Sequence, residues 1–216
     1  MRRLYKSKLP DVHIPDDLSL TELLLSSARS PPVPETQIIA KDTLEQRTLT
    51  LGELRDSAGR LAQGLTGEYR PRDQSRWALV LPNCVTILEA FHAVLWLGGV
   101  ACPINHQLKA GEIAHALSVS NPQYIIVYSQ VVEKVVEAVG IAKSKAGDGF
   151  VLPKIITAVD EASSRPHSYP FLRSFLATER LPVVHHRDTR TRLGSIHLSS
   201  GTTGNDLNPA SRTRSF

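Results

Sequence analysis

The stretch that decides the fold is residues 77–128, WALVLPNCVTILEAFHAVLWLGGVACPINHQLKAGEIAHALSVSNPQYIIVY. Residues 77–81 are an unbroken apolar run of strand length, ended by Pro82-Asn83. A helix is predicted next, running to Trp96 or Leu97 with Leu88, Phe91 and Leu95 in helical register, before Gly98-Gly99 closes it. Residues 100–103 then read as a second short buried strand. Residues 110–118 read as a helix with Ile113, Ala114 and Leu117 inward, and residues 124–128 as a third strand. Strands that are apolar on both faces and alternate with helices belong to a layered, largely parallel α/β sheet with flanking helices.

The alternation continues in both directions. Downstream, Ser129 is placed to cap a helix in which Val132, Val135, Val136 and Val139 recur at helical spacing, and residues 154–159 predict another strand. Upstream, Ser19-Leu20-Thr21-Glu22 has the spacing of a capping box for a short helix, closed by Pro31, Pro32 and Pro34. Residues 47–50 read as a strand. Thr50 and Glu53 form a second capping box, opening a helix with Leu54, Ala58, Leu61 and Leu65 on one face. Segments 142–149 and 163–169 read as exposed connections, and no internal repeat or low-complexity tract is found.

Composition narrows the function classes. The chain has 216 residues, 41% of them hydrophobic, enough for the core of one large α/β domain. Its 25 Lys and Arg against 21 Asp and Glu give a net charge of +4, but the basic residues are interleaved with acids and form no stripe. Tyr5, Tyr69, Tyr124, Tyr128 and Tyr169 share no common face, so nothing points to nucleic acid. The basic run at residues 185–192 reads as a solvated loop. The longest apolar stretch, residues 85–100, carries Glu89 and His92 in its middle, which marks a buried helix and not a membrane span. The amino terminus is basic but no apolar run follows, so no cleaved signal is expected.

Individual polar residues have ordinary readings. Cys84 and Cys102 sit in apolar runs without a CxxC pair and read as buried free thiols of a reducing compartment. His185-His186 are adjacent, so they point apart, and no third residue has ligand spacing; no metal site is expected. His92 and His115 read as core or boundary histidines, and Asn83 as a helix cap.

The chemistry gathers at residues 195–204, SIHLSSGTTG. Residues 195–198 predict a strand, and loops at the carboxyl ends of parallel strands are where such sheets hold ligands. Gly201 and Gly204 allow close backbone approach. Ser199, Ser200, Thr202 and Thr203 add hydroxyl donors beside exposed backbone N–H groups, so the loop is suited to an anion. It has neither the GxxxxGK[ST] spacing of a Walker A loop nor a GxGxxG dinucleotide fingerprint.

With the upstream text, SSGTTG resembles the phosphate loop of the adenylate-forming (AMP-binding) enzyme superfamily. The segments LTLGELRDSAGRLAQGL and ALVLPNCVTILEAFHAVLWLGGVACPINHQLKAGEIAHALSVSNPQYIIV look like the amino-terminal portion of a 4-coumarate–CoA ligase-like acyl-CoA synthetase. That resemblance covers roughly residues 4–204 and implies a partial adenylation domain over residues 1–204. It implies ATP, Mg²⁺, CoA and a small-molecule carboxylic acid as ligands, with Ser199, Ser200, Gly201, Thr202, Thr203 and Gly204 on the ATP phosphates. Cytoplasmic location is implied first and peroxisomal second, although Arg214-Ser215-Phe216 is not an SKL-type address.

After Asn205 the likeness stops. Asp206 and Leu207 stand where the family continues with Pro and Lys, and residues 205–216 read as a non-homologous, irregular tail. The expectation is therefore a fragment that lacks the acyl pocket, the adenine and ribose contacts and the carboxyl-terminal catalytic lysine, with no catalytic residue and no metal ligand of its own. It should be inactive alone and self-associate through the uncovered edge of its last strand. A non-catalytic nucleotide-binding or decoy module pairing with an intact paralogue is the alternative.

Overall fold

Alternate residues of a strand face opposite layers, and this explains the unbroken apolar runs. Strand β3 (Arg76–Val80) sends Trp77 and Leu79 into one core and Ala78 and Val80 into the other. Strand β5 (Tyr124–Tyr128) divides Tyr124, Ile126 and Tyr128 from Ile125 and Val127 in the same way. The computed structural model describes residues 18–25, 33–147, 150–159, 168–186, 189–198 and 211–214.

In chain order the elements begin with α1 (Leu20–Leu25), β1 (Ile38–Asp42), β2 (Arg47–Thr50) and α2 (Leu51–Tyr69). They continue with β3, α3 (Val85–Trp96), β4 (Val100–Pro103), α4 (Ala110–Ser120), β5, α5 (Val132–Ala146), β6 (Lys154–Ala158), β7 (Leu193–His197) and β8 (Ser211–Arg214). β1 and β2 form an antiparallel pair of their own. The main sheet has the order β6-β5-β3-β4-β7-β8, and every pair from β6 to β7 is parallel. From β3 the chain steps to one side through α3, then back across β3 to β5 and β6 through α4 and α5. Right-handed crossovers in opposite directions put their helices on opposite faces. Accordingly α3 shares the core of α2, while α4 and α5 share the other.

Both capping boxes form. The Glu22 N–H donates to Ser19 Oγ at 3.2 Å and the Ser19 N–H to Glu22 Oε2 at 2.7 Å. Thr50 and Glu53 do the same at the start of α2, where Leu54, Ala58, Leu61 and Leu65 are all buried. Ile113, Ala114 and Leu117 of α4 are inward as expected. A strap after the 3₁₀ turn Leu172–Phe175 lies across α2 at Gly59 and Gly64, with the Leu181 N–H donating to Gly59 O and the Ala177 N–H to Arg60 O. A Cβ on Gly64 would stand 1.7 Å from Phe175 O.

Several expectations are corrected. The fully buried face of α3 carries Val85, Glu89, Ala90, Ala93, Val94 and Trp96, with Leu88, Phe91 and Leu95 only partly buried. The helix is apolar nearly all round, so its pattern does not say which side meets the sheet. Ser129 does not cap α5: its Oγ donates to Ala158 O at 3.2 Å, and a 3₁₀ turn intervenes before Val132. Val136 is exposed, His115 is exposed, and residues 142–146 are helix and not connection. The prolines at 31 and 32 and most of segment 163–169 lie outside the described residues.

The tail also differs. An irregular tail and an uncovered β7 edge are the sequence expectations, yet β8 runs antiparallel to β7 with Leu193↔Arg214, Ser195↔Thr213, Ile196↔Arg212 and His197↔Ser211. An edge strand offers a row of backbone donors and acceptors to any extended segment, so pairing there needs no apolar pattern and leaves none to read.

Candidate functional site

Because β3, β4, β5, β6 and β7 are parallel, their carboxyl ends at Val80, Pro103, Tyr128, Ala158 and His197 lie along one rim of the sheet. That rim is where a ligand of this architecture binds. β7 is fixed where it starts. The Leu193 N–H donates to Gln74 Oε1 at 2.8 Å and Gln74 Nε2 donates to Leu193 O at 3.2 Å, so one side-chain amide acts as a short neighbouring strand. Arg192 adds a two-pronged ion pair to Asp73. The expected phosphate loop, Ser199, Ser200, Gly201, Thr202, Thr203 and Gly204, begins two positions beyond the end of β7 and lies outside the described residues.

The polar centre of the described rim is built around the start of α3, and sequence reasoning missed most of it. Asn83 is exposed and caps nothing; the helix begins after Cys84 with no side-chain cap of its own. Its backbone donors are met by carboxylates of the β1–β2 hairpin. The Val85 N–H donates to Asp42 Oδ2 at 2.6 Å, and the Thr86 N–H and Oγ1–H both donate to Glu45 at 2.8 Å. Negative charge at a helix amino terminus is favourable, and here it satisfies donors that would otherwise be orphaned. Burial alone would raise the Asp42 carboxyl, but donation from the Val85, Leu44 and Glu45 backbone outweighs it and holds the group below the ordinary range.

One turn further, Glu89 is 2% exposed and accepts from both guanidinium nitrogens of Arg47, at 3.0 and 3.3 Å, and from Arg173 Nη2 at 3.0 Å. Arg47 also pairs with Glu45 at 3.3 Å. Burial lowers the Arg47 guanidinium, but Glu89 and then Glu45 more than compensate and leave it raised, so it stays charged. The four side chains tie the hairpin, α3 and the Arg173 segment together beside an open cleft of about 490 Å³ lined by Glu45, Arg47, Thr86, Val159, Phe171 and Arg173. The signal was present in the sequence: an acid inside an apolar run must be paired when buried.

Other candidates are committed or inert. Asp42, Glu45 and Cys84 have ligand atoms within 4.8 Å of one another, but the carboxylate oxygens are spent on α3 and burial pushes the Cys84 thiol up to about 12. They do not fit Mg²⁺, which prefers open carboxylate and water oxygens. Burial also raises Cys102 to about 12, so both thiols are protonated and free, as expected. His185 Nδ1 pairs with the buried Glu22. Burial lowers His92 to about 4, so its ring is neutral, with Nδ1 buried and unpartnered. Among the described residues no helix is long and apolar enough to cross a membrane.

Comparison with known proteins supplies what the described rim alone does not. The AMP-binding enzyme family profile matches residues 27–206. The chain is 28% identical to 4-coumarate–CoA ligase 2 of Oryza sativa subsp. japonica over 93% of its own length and 35% of that protein's. It is 27% identical to probable 4-coumarate–CoA ligase 1 of Dictyostelium discoideum over 61% of its length, 23% of the relative's. Its fold superposes on an anthranilate–CoA ligase crystallised with anthranoyl-AMP, with a TM-score of 0.69 at 17% identity over 89% of this chain and 34% of that one. A long-chain fatty acid–CoA ligase of Archaeoglobus fulgidus gives 0.66 at 18% over 93% and 38%. The chain thus spans a quarter to two fifths of the length of these relatives. With the five-stranded parallel sheet, its flanking helices and a family match running from just after α1 to past the end of β7, the chain belongs to the AMP-binding enzyme family.

Proposed function

We propose that this chain is the amino-terminal portion of an ATP-dependent acid–CoA ligase. It would contribute the loop for the ATP phosphates and be inactive by itself. The observation that carries the reading is the family match from residue 27 to residue 206, which takes in residues 199–204 directly after β7. In the reaction proposed, a carboxylate oxygen attacks the α-phosphorus of ATP, the bond to the bridging oxygen breaks, and pyrophosphate leaves. The CoA thiol then attacks the acyl carbon and AMP departs. Charge accumulates on the leaving pyrophosphate in the first step, and preorganised donors from Ser199, Ser200, Thr202, Thr203 and the glycine-rich backbone would hold and orient it. The loop binds and positions; it moves no proton. Its two buried free thiols suit a reducing compartment, the cytoplasm before the peroxisome.

Asp206 and Leu207 favour a second reading. They put an acid and an apolar residue where the resemblance leads one to expect Pro and Lys, which suits a nucleotide-binding module that does no chemistry. Pyrophosphate release tests the first reading. Purified 216-residue chain given ATP, Mg²⁺ and a panel of aryl and fatty acids should release none above background. Acid-dependent release by this chain alone would overturn the claim that it depends on further parts.

A further inference from the structure

The five parallel strands of the main sheet, β6 to β7, are flanked at both ends, by different means. At β6, the Thr157 N–H donates to Pro170 O at 2.9 Å and Thr157 bridges to Phe171, so an irregular segment lies against that edge. Lys154, the first residue of β6, holds its ammonium 4.9 Å above the Tyr69 ring. A lysine and a covering loop are both ways of discouraging a foreign strand. At β7 the cover is β8.

We propose that residues 211–214 are an edge cap, which occupies the β7 ladder and keeps a second copy of this chain from pairing there. Three observations support this. The pairing reaches both ends of β7, from Leu193↔Arg214 to His197↔Ser211, with a shift of register at Gly194 as its one interruption. The cap lies beyond residue 206, where the family match ends, so it belongs to this chain and not to the matched family region. Its sequence, Ser-Arg-Thr-Arg, is four residues long with two arginines, and short, charged segments make poor templates for a further strand. β7 itself stays anchored without the cap, through Ala101↔Ser195 on β4 and through Gln74 where it starts. Losing β8 therefore exposes a formed strand, and the consequence is association and not unfolding.

The test uses the intact chain, a variant lacking residues 207–216, and a full-length variant carrying Arg212→Pro and Thr213→Pro. Adjacent N–H groups of a strand point to opposite sides, so one of the two prolines removes a donor facing β7 wherever the ladder bonds fall. Light scattering after size exclusion, over a range of concentrations, reports the mass; hydrogen exchange reports the β7 amides. The intact chain should be monomeric with slowly exchanging amides in residues 193–197. Both variants should exchange them about tenfold faster or more and form dimers or larger species as concentration rises. Should the deletion be recovered only as aggregate, the double proline variant and exchange in the intact chain decide. Unprotected β7 amides in the intact chain, or variants that stay monomeric at every concentration, would overturn the cap.

Discussion

Glu89 is the residue on which three separate stretches of chain converge. Arg47 comes from β2, Arg173 from the segment after β6, and the carboxylate itself from the buried side of α3. Removing it strands two guanidiniums. Breaking a fully buried pair costs about 3–5 kcal/mol. Here the arginine side chains are 33% and 36% exposed and can turn toward water, so Glu89→Ala should cost about 2–3 kcal/mol, with Glu89→Gln costing less because it keeps the acceptor and the shape. Urea denaturation midpoints would check this, and a loss below about 0.5 kcal/mol, the scale of an ordinary surface change, would show that the network is incidental. That Glu89 needs a partner was legible, because an acid sits among fifteen largely apolar neighbours in residues 85–100. Which partners it takes was not, since Arg47 and Arg173 lie 42 and 84 residues away and only the sheet order brings them together. Asp42 and Glu45 were hidden for the same reason: they cap a helix that begins some forty residues later.

At the scale of elements, local signals were reliable where they closed within one turn. The Thr50–Glu53 and Ser19–Glu22 boxes formed because both partners are three residues apart and need nothing else. Asn83 and Ser129 looked like caps too, but tertiary partners were better placed: hairpin carboxylates in one case, the Ala158 carbonyl in the other. Glycines give a sharper contrast. Gly140 lies exposed in α5, where an added Cβ would meet nothing within 4 Å, whereas a Cβ on Gly64 of α2 would run into Phe175 O. Helix propensity favours alanine over glycine by about 0.8–1 kcal/mol at either place. Gly140→Ala should therefore stabilise the protein by roughly that amount, while Gly64→Ala should destabilise it by about 1–3 kcal/mol because the strap must lift from α2. Thermal or chemical denaturation reads both, and a stabilising Gly64→Ala would mean that the strap does not pack as described. Nothing in the sequence marked Gly64 out from Gly140, because the difference lies wholly in a segment more than a hundred residues downstream.

Among the described residues, the molecule is built on a five-stranded parallel sheet between two helical layers, with β8 added from the tail and the β1–β2 hairpin as a separate pair. The class was legible because strands buried on both faces read as continuous apolar runs. The order β6-β5-β3-β4-β7 was not, since the pattern of each strand is silent about its neighbours. From the sequence β7 reads two positions late, at residues 195–198, because Gly194 parts Leu193 from the rest of the strand. The candidate loop was legible from composition and position, and its role rests on what a longer partner sequence would add. A chimera measures that directly: residues 1–204 of this chain joined to the part of rice 4-coumarate–CoA ligase 2 that follows its matching segment, assayed for 4-coumarate-dependent exchange of pyrophosphate into ATP. The reading predicts exchange by the chimera, none by the 216-residue chain, and a loss of about a hundredfold or more when Thr202 and Thr203 are both replaced by alanine in the chimera. A chimera that folds cooperatively yet exchanges no pyrophosphate, or exchanges it equally well without the two threonine hydroxyls, would contradict it.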